Sequence, residues 1–115
     1  MNEPKAHYDA VGTYGVPING RYYGFSTLVS RDGTIAWMPD NEQQHVNLGY
    51  NGKDGPAELS RVSKWDVARM LGQMHLFQAK SPVPLEDILS RNRELISTIQ
   101  QDFQTYHANM QVSQI

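Results

Sequence analysis

The chain contains no cysteine in its 115 residues. That absence excludes a disulfide scaffold, a thiolate zinc site and a cysteine nucleophile. No apolar run approaches the roughly 18 residues of a membrane span, and residues 1–10 lack the apolar stretch of a signal peptide. Neither sign of charge predominates: ten Lys and Arg stand against twelve Asp and Glu, a net charge of −2, with a pI near 6.0. A general nucleic-acid binder would show a domain pI above about 9. Zincin, P-loop and GxSxG patterns are missing, and His7, His45, His75 and His107 stand singly. On this basis no metal, cofactor or catalytic residue is expected, nucleic acid is an unfavoured partner, and the protein is expected to be cytoplasmic.

The residues that are present divide the chain in two. Seven of the nine glycines and five of the six tyrosines lie in the first 52 residues, a mix of turn formers and aromatics that reads as short strands joined by tight turns. After Arg61 the only glycine is Gly72, and apolar residues recur at intervals of three and four. Strands followed by helices predict an α+β fold. The length suits one domain, since domains run to about 100–150 residues. The expected organisation is a flexible tail over 1–10, an antiparallel sheet of three to four strands over 11–56, and a helical hairpin over 63–110 whose second helix is long.

The clearest strand signal is Tyr22 to Ser30, then Arg31-Asp32-Gly33, then Thr34 to Met38. Arg-Asp-Gly suits a three-residue loop with glycine in the left-handed region. That register sets Val29 opposite Ile35 and Thr27 opposite Trp37, and gathers Phe25, Thr27, Val29, Ile35 and Trp37 on one face. A two-residue turn would break this face, because a one-residue slip turns a whole strand over. Further strands are expected from Val11 to Val16, ended by Pro17, and from His45 to Tyr50.

Ser63 followed by Asp66 marks a helix start. From Lys64 to Ala79 apolar residues spread around most of the helix, which requires cover on two sides. A second helix is expected from Pro84 to about Asn109. Its seam, Leu85, Leu89, Asn92, Ile96, Ile99, Phe103, Tyr106 and Met110, steps by four and three in a sustained heptad pattern. From Leu95 to Ile115 only Asp102 is charged, and interface cores are depleted of charge. Together these predict a homodimer through Asn92, Ile96, Ile99, Phe103, Tyr106 and Met110. A helix folded over its own sheet is the competing reading.

The function expected from the sequence is binding without catalysis, of a protein partner or a small anionic ligand. Arg21, Tyr22, Asp40, His45, Tyr50 and Lys53 are the residues expected to serve it, at the loop end of the sheet or the dimer seam. Two alternatives follow from the same residues. One is a small acid–base enzyme, an isomerase or hydrolase, using Asp40 or His45 in a dimer-interface pocket. The other is a single-stranded nucleic-acid or nucleotide binder that stacks bases on the Tyr22–Phe25 strand.

Overall fold

The Arg31-Asp32-Gly33 turn fixes the register of the sheet. A computed structural model describes residues 7–18, 20–40, 46–50 and 59–113, with 46–50 and 111–113 as backbone only. Strand β1 (Tyr8–Ile18) precedes β2 (Arg21–Ser30), which pairs antiparallel with β3 (Ile35–Pro39), Val29 opposite Ile35 and Thr27 opposite Trp37. Gly33 adopts φ 87°, its N–H donates to the Ser30 carbonyl at 3.1 Å, and the Ser30 N–H donates to the Thr34 carbonyl at 3.0 Å. The Ser30 hydroxyl, followed by the Thr34 donors, holds the exposed Asp32 carboxyl down at about 2. This is the bulged loop the sequence predicts. An L side chain in the left-handed region costs about 1–2 kcal/mol, so Gly33→Ala is expected to lower stability by that amount. The effect should appear as a lower urea midpoint with an unchanged slope.

β4 (Val46–Tyr50) joins the far side of β3, giving an antiparallel sheet in the order β1-β2-β3-β4. The first strand is longer than expected at both ends. Tyr8, Asp9 and Ala10, assigned by sequence to a tail, pair with Ser30, Val29 and Leu28. Pro17 continues the strand instead of ending it, which an edge strand allows because no ladder hydrogen bond is lost on its free side. The register shift between Ala10 and Gly12 leaves Val11 as the extra residue of a β-bulge.

Phe25, Val29, Ile35 and Trp37 face inward and are buried, as the register requires. Helix α1 (Lys64–Ala79) begins with the expected capping box: the Asp66 N–H donates to Ser63 Oγ at 3.1 Å and the Ser63 N–H to Asp66 Oδ2 at 2.9 Å. It is covered on two sides, by β3 and β4 beneath and by the following helices beside it. Its wide apolar surface is not wholly hidden, because Trp65 and Leu76 remain partly exposed.

The long second helix is divided. α2 (Leu85–Arg91) and α3 (Arg93–Ser113) meet at Asn92, whose φ of −124° and ψ of 33° leave the helical region. The Asn92 side chain explains the kink: Nδ2 donates to the Ile88 carbonyl at 3.0 Å, the acceptor also used by its own backbone N–H. Asparagine competes with the helix ladder in this way. The described chain therefore has three α-helices after the sheet, where the sequence suggests two. α3 lies along β1, and Ile96, Ile99 and Phe103 join the core with Val67, Leu71 and Met74. Among the described residues no helix is long and apolar enough to cross a membrane.

Candidate functional site

Three of the residues expected to form a site, Arg21, Tyr22 and Asp40, lie toward one end of the sheet, with Tyr22 and Asp40 on its outer face and Arg21, by alternation, on the other. Gly15 and Gly24 stand opposite each other in β1 and β2. A Cβ on Gly15 would strike the Tyr22 ring, and one on Gly24 the Asp40 carboxylate. Bare backbone thus lets both side chains lie flat on the outer face of the sheet. Asp40 is fixed there by its N–H, which donates to the Gly24 carbonyl at 3.1 Å. Arg21 heads β2 at the same end and is exposed.

Tyr50 does not join them. It pairs with Ile35 at the opposite end of β3, about 16 Å from Asp40 at 3.3 Å per residue. His45 and Lys53 lie outside the described residues. The stacking surface expected of the Tyr22–Phe25 strand is mostly internal. Phe25 is buried against Trp37 with ring centroids 4.7 Å apart, Tyr23 packs edge-on to His75 at 5.5 Å, and only Tyr22, 73% exposed, is open to a ligand.

The residues expected at a dimer seam are covered within their own chain. Asn92, Ile96, Ile99 and Phe103 are buried in the protomer. Tyr106 is partly buried and donates its hydroxyl hydrogen to Asp9 Oδ2 at 2.8 Å. Met110 lines a cavity of about 350 Å³ beside Leu59 and the β2–β3 turn. The buried part of the heptad stripe finds its cover in β1, α1 and the 3-10 turn Leu59–Arg61, while Leu89 and Met110 border cavities.

Two tyrosine–aspartate pairs lock α3 to β1 in opposite directions. Tyr14 of β1 donates to Asp102 of α3, and Tyr106 of α3 donates to Asp9 of β1. Burial raises the Asp102 carboxyl above the usual range. The Tyr106 hydroxyl and then His7 hold Asp9 below it. Burial, reinforced by Asp9, pushes Tyr106 up to about 12. With Tyr106 neutral and donating across the physiological range, these contacts are structural fasteners.

A second cavity of ligand dimensions lies between the start of α1 and the kinked α2–α3 pair. It measures about 510 Å³, within the roughly 300–1,000 Å³ of small-molecule pockets. Leu89 and Ile96 supply apolar surface, and Lys64, Arg93, Ser90 and Ser97 supply donors. Glu86 of α2 and Gln100 of α3 also line it. Gln100 is held in place by its Nε2, which donates to the Val62 carbonyl at 2.8 Å. Neither Lys64 nor Arg93 has an ion-pair or hydrogen-bond partner among the described residues. Sequence reasoning missed this groove. Its signal is the sevenfold spacing of Glu86, Arg93 and Gln100, of Leu89 and Ile96, and of Ser90 and Ser97, which reads equally well as a solvated helix face.

The core also holds polar groups with no matched partner: Thr27 Oγ1, Trp37 Nε1 and both ring nitrogens of His75. Burial lowers the His75 pKa, and the Ser81 backbone opposes this weakly. Among the described residues no three His, Asp or Glu side chains gather as a metal site would need. Compared with known proteins, the chain matches no family model, no curated protein and no solved structure.

Proposed function

We propose that this chain is a non-enzymatic binding module and that it engages a small anionic ligand in the groove between Lys64 and Arg93. The observation that carries this reading is a pair of cationic residues, unpaired among the described residues, lining one cavity of about 510 Å³ that Leu89 also borders. Cations on a folded surface are ordinarily solvated; two of them on a concave wall with hydroxyls between concentrate donors where an anion can be enclosed.

Butyrate and n-butyl phosphate are suitable probes, titrated into the full chain with backbone amide shifts as the readout. At least one is expected to shift the amides of Lys64 and of residues 86–100. Arg93→Gln should weaken that probe about tenfold or more, the loss of one charge-assisted hydrogen bond. Shifts confined to other parts of the chain, or an affinity indifferent to Arg93→Gln, would remove the reading. The exposure of Tyr22 and Met38 on the helix-free face of the sheet favours a second reading, a protein partner, since interfaces are enriched in aromatic residues and Met. In that case Tyr22→Ala, and not Arg93→Gln, abolishes binding.

A further inference from the structure

We infer that the anion taken by this groove is a phosphate monoester carried on a short apolar group, an inference that rests on the groove being the binding site. Arg93 and Ser97 stand four residues apart on α3, the spacing that sets side chains beside each other on a helix, and Ser90 joins them from α2 across the kink at Asn92. All three line the groove, and Lys64 faces it from α1. The set offers the five N–H donors of a guanidinium, the three of an ammonium and two hydroxyls. A carboxylate brings one negative charge and two oxygens; the guanidinium fork takes one acceptor site on each, and the charge of one of the two cations stays unmatched.

A phosphate monoester matches the donors better. It brings three strongly accepting oxygens and a charge of about −1.5 to −2 at neutral pH, enough to engage both cations and at least one hydroxyl. Half-buried Leu89 lines the same cavity, and Ile96, 2% exposed, borders it. Inorganic phosphate alone leaves the exposed part of Leu89 wet, whereas an alkyl or aryl ester covers it. Glu86 contributes the opposite constraint. Its carboxylate also borders the groove, seven residues and about 10 Å along the helix from Arg93. A second anionic group at that end would meet like charge, so the ligand carries its charge at one end only.

The test compares n-butyl phosphate, inorganic phosphate and butyrate on the full chain, with amide shifts reporting where each binds. Butyl phosphate is expected to bind about tenfold more tightly than butyrate, through the added hydrogen bonds to charge, and about tenfold more tightly than inorganic phosphate, through the buried alkyl group. Its affinity should rise from about pH 5 to about pH 7.5, as the ester gains its second charge near pH 6. The double substitution Ser90→Ala with Ser97→Ala should weaken butyl phosphate several-fold and leave butyrate unchanged. Arg93→Gln should weaken both, and Arg31→Gln, on the β2–β3 turn outside the groove, neither. Equal affinities for butyrate and butyl phosphate, both reduced by Arg93→Gln, overturn the phosphate assignment while the anion site stands. Inorganic phosphate binding as tightly as its butyl ester overturns the apolar part of the ligand. If none of the three probes shifts a groove amide, the inference and the reading beneath it fall together.

Discussion

Phe103→Ala is expected to cost about 3–5 kcal/mol of folding free energy, the range for truncating a buried aromatic side chain. Phe103 is 0% exposed and belongs to the same apolar cluster as Val67, Leu71 and Met74 of α1 and Phe25 and Trp37 of the sheet. Alanine leaves a void that two helices and a sheet must all move to fill, and close-packed interiors collapse only in part. Against a total of about 5–15 kcal/mol for a domain of ordinary stability, such a loss unfolds a large fraction of the chain or brings it close to unfolding. Urea denaturation followed by circular dichroism measures it. A seam between two copies predicts a different result. The substitution would then leave a folded protomer of near-normal stability and halve the mass found by light scattering.

His75→Leu is expected to act in the opposite direction and to change the pH dependence of stability. His75 is 1% exposed, and neither of its ring nitrogens meets a hydrogen bond of good geometry. Leaving a polar group buried and unmatched costs about 1–3 kcal/mol, which leucine removes. The lost edge-on contact with Tyr23 returns about 0.5–1.5 kcal/mol of that gain, so a net stabilisation of about 1 kcal/mol remains at pH 7. Burial lowers the folded pKa beneath the ordinary histidine value of 6.5, so the unfolded chain takes up the proton first. Wild-type stability is therefore complete above that value and declines as the pH falls through it. The decline continues until the folded histidine is itself protonated, at no more than about 1.4 kcal/mol per pH unit for one proton. In the leucine variant this part of the acid slope should disappear, and the two proteins should diverge further at pH 5 than at pH 7. Parallel stability curves across that interval would show that His75 is solvated or well bonded.

Much of the sheet was legible because its determinants are local. Arg31-Asp32-Gly33 names its own loop, and once the loop is set the alternation of Phe25, Thr27 and Val29 against Ile35 and Trp37 leaves one register. The α1 start was legible for the same reason, since Ser63 and Asp66 satisfy each other within four residues. The kink was harder to see. Asn92 occupies a seam position in the heptad pattern, where a polar residue suggests pairing with its counterpart in a second copy. Its actual partner is the Ile88 carbonyl one turn earlier, an option any buried asparagine in a helix has. Buried Ile99 and Phe103 alternate with exposed Gln101, Gln104 and Thr105, so the neutral polar residues beyond Leu95 include the face of α3 turned away from its own core. Of the expected ligand residues, Tyr22 and Asp40 lie over the two members of a cross-strand glycine pair, which alternation alone does not reveal. The groove arises from α1 and α3 meeting across Gln100 and Val62, 38 residues apart, a long-range contact that no local pattern encodes.

The crossed fasteners between β1 and α3 join residues 88 and 97 positions apart. Synthesis reaches the start of α3 at Arg93 about 75 residues after Ile18 closes β1, roughly 4–15 s at 5–20 residues per second. In the later part of that interval, once Tyr50 completes the four strands, the sheet's greasy side has no lid over its first strand. Transiently exposed apolar surface of this kind is prone to aggregation, and the emergence of α3 ends the exposure.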